Sequence, residues 1–280
     1  MRDMLVVCSE VDTASVNIRD RMLEAGTFEE VGTFEGRPVL HGHGGHLVTI
    51  GEESLYRNNL DAEVFTSLGV QHSAVVYLSR HSSATGLESL TVHPIGNFSH
   101  ARFGGFFRQL VRSCPGGMTS ALRRMHALAK EAGLPHQVSF EVTHHGPYLN
   151  TPTFFIEIGS DEAAWLEEAP ARVVAETVLG VEPEASGSIL LGVGGGHYAP
   201  RHTDVALAKD VSYSHIIPSH AISSLGNQTL DKMLDYVCEA SKVYFHRKTM
   251  KKPDLHRLAE FFEARGMDVV RERDLPDLSG

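Results

Sequence analysis

The chain has 280 residues, 42% apolar and 21% charged, with a formal net charge of −10. This is the make-up of an ordinary globular protein, without an apolar run long enough to cross a bilayer. The acidic balance argues against an extensive electropositive coat for nucleic acid, although a local basic patch stays compatible with it.

Met1 to Cys8 lead straight into an apolar segment without the three regions of a signal peptide, so a cytoplasmic location is expected. Cys8, Cys114 and Cys238 are isolated and odd in number, which suits neither a disulfide framework nor a thiolate zinc site. Cys8 and Cys238 read as small buried hydrophobes. Met4 to Val7 reads as a buried strand, Thr13 to Ala25 as a helix stopped by Gly26, and His46 to Ile50 as a second strand. His41, His43 and His46 read as a solvated hairpin loop. Ser73 to Leu78 is a continuous apolar run of the kind covered on both faces in a parallel sheet. Leu90 to His93 is a short strand stopped by Pro94. The stretch around 94–117 is a candidate insertion or lid within one α/β hydrolase domain spanning 1–280.

A helix is expected from Thr119 to Ala132, closed by Gly133, then strands at Val138 to Val142 and Thr153 to Ile158. Ser160 reads as an N-cap, and Pro170 as a break between two helices. Ser188 to Val193 is a buried strand, His215 to Ile217 another, Leu230 to Ala240 and Pro253 to Arg265 are helices, and Met267 to Val270 a last strand. The alternation predicts an α/β fold, three layers deep, with a mainly parallel mixed sheet.

The chain carries 17 histidines, and several of its polar motifs follow directly on apolar strands. Imidazole titrates near neutrality and is the commonest metal ligand. Ser79-Arg80-His81, His93 to Asn97, Glu141 to Pro147 and Gly194 to Asp204 each lie just past a strand, where open α/β sheets bind ligands. Parallel neighbours would bring these histidines to one rim. His197, His202 and Asp204 form a zinc-type set within eight residues, yet the spacing is neither HExxH nor a zinc-finger pattern, so loop hydrogen bonds fit it too. His144 and His145 are adjacent, so on a strand only one would enter a given site. Glu141 is a candidate general base or a support for an imidazole. His81 and His93 are further candidates, whereas no GxSxG elbow supports a serine nucleophile. The N–H groups of Gly194, Gly195 and Gly196 are candidate oxyanion donors. Lys242, Arg247, Lys248, Lys251 and Lys252 form the densest basic stretch, a candidate for phosphate contacts or a solvated edge.

Taken in order, Ser79-Arg80-His81, Leu90 to Phe98, Glu141 to Pro147, Phe154 to Ser160 with Trp165, and Gly194 to Asp204 resemble the archaeal–plant D-aminoacyl-tRNA deacylase family across nearly the whole chain. The resemblance implies hydrolysis of the ester between a D-amino acid and the tRNA 3′ end, a zinc cofactor, and a fold similar to peptidyl-tRNA hydrolases and phosphorylases. The resemblance does not assign roles residue by residue; on the residues themselves the working hypothesis has zinc or a histidine base activate water, with His81, His93, Glu141, His144, Gly195 and Gly196 as catalytic candidates. Arg80, Asn97, Arg201, Lys248, Lys251 and Lys252 are assigned to the acceptor stem and 3′ end, and zinc to His197, His202 and Asp204. Neither a membrane nor DNA is an expected partner, and a monomer is favoured. The alternatives are a zinc amidohydrolase or peptidase on small substrates, and a non-catalytic tRNA-binding module.

Overall fold

A computed structural model describes residues 3–278 of the chain, except Cys238. In chain order the elements are β1 (Met4–Ser9), α1 (Thr13–Ala25), β2 (Glu29–Phe34), β3 (Arg37–Gly42), β4 (Gly45–Ile50), α2 (Leu60–Leu68), β5 (Ala74–Ser82), β6 (Ser89–Pro94), α3 (Pro115–Glu131), β7 (Gln137–Phe140), β8 (Thr153–Ser160), α4 (Glu162–Leu166), α5 (Glu168–Leu179), β9 (Ser188–Val193), α6 (Pro200–Ala208), β10 (Val211–Ile217), α7 (Asn227–Leu234), β11 (Lys242–Phe245), α8 (Lys252–Glu263) and β12 (Asp268–Val270).

One mixed sheet has the order β2-β3-β4-β1-β5-β8-β6-β7, and a second has the order β10-β9-β11-β12. β4, β1, β5 and β8 run parallel, while β6 runs antiparallel to β8 and parallel to β7. The second sheet is parallel throughout. The apolar runs of the central strands are continuous because both faces are buried. Met4, Val6, Cys8, Val76 and Leu78 pack towards α1, α3 and α5, whereas Leu5, Val7, Val75 and Tyr77 pack with Leu60 and Val64 of α2. This is the mixed, mainly parallel α/β fold expected. Among the described residues no helix is long and apolar enough to cross a membrane.

Cys8 is buried as expected; Cys238 lies outside the described residues. Several local expectations shift. The histidines were expected at the rim of parallel neighbours, but β6 runs the other way, so they meet across a sheet face. The break between α4 and α5 falls at Glu167, and Pro170 sits inside α5; the α4 cap is Asp161, not Ser160, its carboxylate accepting from the N–H groups of Ala163 and Ala164. The glycine-rich stretch ends in a helix: Pro200 stands at the start of α6, where a missing N–H costs nothing. The basic stretch contains a buried strand, β11, whose Val243 and Phe245 pack against α8.

Two seams join the sheets beside the future site. The N–H of Val142 donates to His197 O (3.0 Å) and that of Ala199 to Phe140 O (3.0 Å). Thr143 N–H donates to Ile216 O (2.9 Å), and Ile216 N–H to the Thr143 hydroxyl (3.0 Å). The end of β7 is thereby tied to the loop after β9, and Glu141 is held next to His197.

Candidate active site

The strand register places the first group of polar side chains. Across β5, β8 and β6, Tyr77, Phe155 and His93 share one rung, Ser79, Glu157 and Thr91 the next-but-one, and His81, Gly159 and Ser89 the next-but-one again. Alternate residues point to one face, so His81, Glu157 and His93 project together. The His93 ring stacks on Phe155 at 5.2 Å, and Phe155 on Tyr77 at 4.9 Å. Glu157 Oε2 lies 3.4 Å from His81 Nδ1 and its Oε1 3.6 Å from His93 Nε2. A Cβ on Gly159 would lie 2.5 Å from Ser89 Oγ and 3.0 Å from the His81 ring, so only glycine leaves that ring its place.

The second group comes from the loops after β7 and β9. Glu141 is fully buried; its Oε1 is 3.1 Å from His81 Nδ1, and its Oε2 is 3.5 Å from His144 Nε2 and 3.3 Å from His197 Nε2. Neither oxygen is hydrogen-bonded within the protein, and His145 Nδ1 is likewise buried without a hydrogen bond. His144 Nδ1 is 2.7 Å from the Val142 carbonyl, which accepts its proton and leaves the Nε2 lone pair facing Glu141. The Tyr198 hydroxyl is 3.2 Å from His81 Nε2, and the Trp165 indole N–H donates to the His81 carbonyl (3.1 Å). His145 was expected to point away from its neighbour. Instead its φ is +30°, and its ring centroid lies 4.0 Å from that of His144 and 4.9 Å from that of His93.

The environment divides the imidazoles into two kinds. Burial, then the neighbouring imidazoles of His145, His93 and His197, which disfavour a further positive charge, push His144 well below its ordinary value. Burial, then His93, push His145 down to about 3. Burial acts in the same direction on His81 and His93, but their hydrogen bonds and charge contacts with Glu157 outweigh it and raise both. Burial would raise Glu157, yet the two imidazoles hold it below the usual carboxylate range. One pair of histidines is thus kept neutral beside another pair that favours the proton.

Two clefts open on this cluster. One, of about 390 Å³, is bordered by Asp12, Ser79, Arg80 and Glu157; the other, of about 340 Å³, by Asn97, Phe98, Arg102 and His220. Phe103, His144 and His145 border both. A larger cleft of about 830 Å³, lined by Arg201, Arg247, Lys248, Arg271 and Arg273, lies at the ends of β11 and β12.

Of the expected site residues, His81, His93, Glu141, His144 and His197 are brought together. The set His197, His202 and Asp204 is not assembled. His202 is buried with Nε2 at 2.8 Å from Gly194 O, its ring packed edge-on to Tyr213 and Tyr244, and Asp204 is exposed on α6. The cause is α6 itself: residues two apart on a helix face nearly opposite ways, and His197 precedes the helix. The oxyanion role of the glycines also fails in part. The N–H of Gly194 is bonded to Ile217 O (2.8 Å) and that of Gly195 to the Ser219 hydroxyl (2.9 Å), so neither is free for a substrate. Gly196 is exposed beside His197. Arg80 is engaged by Glu53 at 2.8 Å and lies over Trp165, and Arg201 is engaged by Tyr244 and Glu272. Asn97 donates to Gly104 O (2.9 Å) and braces the loop between β6 and α3. Lys248, Lys251 and Lys252 are exposed. Glu157 was given no role from sequence, although a lone carboxylate in Phe154-Phe155-Ile156-Glu157-Ile158 is the signal that would have found it.

A mixed α/β fold carrying a buried carboxylate–imidazole centre between two clefts defines an enzyme built for proton transfer and hydrolysis. The chain belongs to the D-aminoacyl-tRNA deacylase family, whose model matches residues 68–270. It is 39% identical over 220 residues to the D-aminoacyl-tRNA deacylase of Pyrococcus furiosus, covering 78% of this chain and 80% of that one. It is 34% identical over 282 residues to the Methanosarcina acetivorans protein of the same name, covering 98% and 94%. A crystal structure of a conserved protein of unknown function superposes with a TM-score of 0.88 at 29% identity, covering 98% of this chain and 96% of that one.

Proposed function

We propose that the cluster of His81, His93, Glu141, His144 and His197 hydrolyses the ester joining a D-amino acid to the 3′ end of tRNA. The observation that carries this is Glu141: a buried carboxylate with neither oxygen hydrogen-bonded, facing imidazoles of His81, His144 and His197 between two clefts. His144, neutral with its lone pair on Nε2, takes a proton from the attacking water, and Glu141 stabilises the imidazolium that forms. The water oxygen bonds to the ester carbonyl carbon, the bond to the ribose oxygen breaks, and that oxygen takes the proton from His144. The products are a free D-amino acid and tRNA. Release of D-tyrosine from D-tyrosyl-tRNA, with L-tyrosyl-tRNA spared, tests the reading. Equal turnover of a simple amide, or tRNA binding without release, would replace it with an amidohydrolase or a binding module. A cytoplasmic location accords with a charged-tRNA substrate.

Zinc fits these donors. Glu141 is buried with neither oxygen hydrogen-bonded, and it stands 3.1 Å from His81 Nδ1 and 3.3 Å from His197 Nε2, a donor set that suits a cation. His81, Glu141 and His197 would hold it and leave His144 as the base; their ligand atoms lie within 4.8 Å of one another. A zinc ion there supplies Lewis acidity. Elemental analysis of the purified protein is predicted to find zinc in the wild type and in Asp204→Ala, and to find it depleted in Glu141→Ala and His197→Ala. Depletion in Asp204→Ala alone would return the site to α6.

Lys248, Lys251 and Lys252, with Arg247, Arg271 and Arg273 nearby, form a cationic margin in an otherwise acidic chain, suited to acceptor-stem phosphates. Replacing the three lysines by alanine is expected to raise KM and flatten its dependence on salt, by up to about 0.9 in logarithmic slope per lost phosphate contact with a duplex. A salt dependence equal to that of the wild type would refute this placement.

A further inference from the structure

The loop between β6 and α3 carries Phe103, Phe106 and Phe107, which are 57%, 49% and 58% exposed. Large apolar rings gathered on one exposed loop of an acidic chain call for a function. Two cations are interleaved with them: Arg102 and Arg108 are both exposed. The loop is also braced. Asn97 N–H donates to Gln109 O (2.8 Å), Arg108 N–H to Ser99 O (3.0 Å), and Gly146 N–H to Phe103 O (3.0 Å). A Cβ on Gly104, whose φ is +83°, would lie 1.6 Å from Leu55 O, so the loop rests directly on its neighbour there.

The three rings are not equivalent. Phe106 lies against Tyr148 (5.4 Å between centroids), and Phe107 is flanked by His100 (5.4 Å) and by the Arg108 guanidinium (5.1 Å). Phe103 has no aromatic partner among the described residues, and it borders both clefts that meet at His144 and His145. Its backbone is tied to Gly146, next to His145.

We propose that Phe103 is the stacking platform for a base of the substrate's single-stranded 3′ end, holding the last nucleotides so that the ester falls between the two clefts. This rests on the deacylase reading above. A base is favoured over a second protein copy because one ring and its neighbours offer far less than the roughly 800 Å² per partner of a stable protein interface. It is favoured over an amino-acid side chain because the charged residues of its own loop, Arg102 and Arg108, are cationic, as phosphodiesters require. Stacking on an aromatic face tolerates any base, which suits an enzyme that must accept tRNAs of every acceptor identity.

The test uses the full chain and the bare trinucleotide CCA. In equilibrium titrations Phe103→Ala is expected to weaken CCA binding roughly 5- to 100-fold. Phe103→Trp should retain binding and show fluorescence quenching on CCA addition beyond that of the wild type, whose single tryptophan is Trp165. Phe106→Ala, its ring already committed to Tyr148, should bind CCA as the wild type does. With D-tyrosyl-tRNA, Phe103→Ala should raise KM by the same factor as the CCA affinity falls, with kcat retained. A substrate lacking its terminal base should cost the wild type a like factor and the variant nothing further. Unchanged CCA affinity in Phe103→Ala, or a fall in kcat with KM constant, would overturn the platform. Wild-type hydrolysis with wild-type kinetics in Phe103→Ala rejects the platform and keeps the deacylase reading. CCA binding that depends on Phe103, without release of D-tyrosine by the wild type, does the reverse.

Discussion

Glu141→Gln is expected to slow hydrolysis of D-tyrosyl-tRNA by roughly 10²- to 10⁴-fold, the range of a lost acid–base partner, with KM little changed. The side chain is fully buried and within 3.1–3.5 Å of imidazole nitrogens of His81, His144 and His197, while both its oxygens lack hydrogen bonds. Glutamine keeps the shape but can neither balance an imidazolium nor match the carboxylate as a ligand for a cation. A buried carboxylate without hydrogen bonds is a cost to folding that is tolerated where it serves function. The variant should therefore melt at the same temperature as the wild type or higher while losing activity. Single-turnover release of labelled D-tyrosine, with a melting curve for each protein, reads both quantities. A rate within a few-fold of wild type would remove Glu141 from the mechanism; a collapse in melting temperature would make its role structural.

How much of this was legible in the chain depends on how local each signal is. The helix at Thr13–Ala25 and the strand at Ser188–Val193 were readable because apolar spacing, with a stopping glycine after the helix, lies within the segment itself. The convergence of His81, His93, His144 and His197 was readable only as a consequence of each motif following a strand. Its geometry was not, because the antiparallel course of β6 against β8 is set by a pairing between segments some sixty residues apart. The expected zinc set failed for a local reason. Pro200 opens α6, and His202, Thr203, Val205 and Ala206 form its buried face, a helical spacing hidden behind the conspicuous glycines. Gly194 and Gly195 do take positive φ, +94° and +119°, as their type allows, but the turn spends their N–H groups on Ile217 and Ser219. Composition signals where a backbone can bend; it does not tell which partners the bent backbone will meet.

Glu157→Gln is expected to have the larger effect on stability, a loss of about 3–5 kcal/mol, the cost of breaking a buried pair by removing one partner. Glu157 is 2% exposed and stands between His81 (3.4 Å) and His93 (3.6 Å). Without it, only Glu141 and, at His93, the Pro94 carbonyl are left to oppose burial, which favours the neutral forms. The sign of the pH dependence follows, and is best read on chelator-treated protein, where protons alone occupy the centre. Glu157 is held below its ordinary 4.5, so its contribution is present above that pH and fades as the pH falls through the lowered value. His81 and His93 are held above 6.5, so theirs is complete below 6.5 and is lost as the pH rises through their raised values. His144 and His145, pushed down, make the fold less stable as the pH falls below 6.5, in the wild type and in the variant alike. The difference in melting temperature between the two proteins largely removes that common effect. It should be greatest between pH 4.5 and 6.5 and shrink on both sides. A difference that stays constant from well below pH 4.5 to well above pH 6.5 would mean the carboxylate contributes packing rather than charge, and the division of the centre into protonated and neutral imidazoles would fall with it.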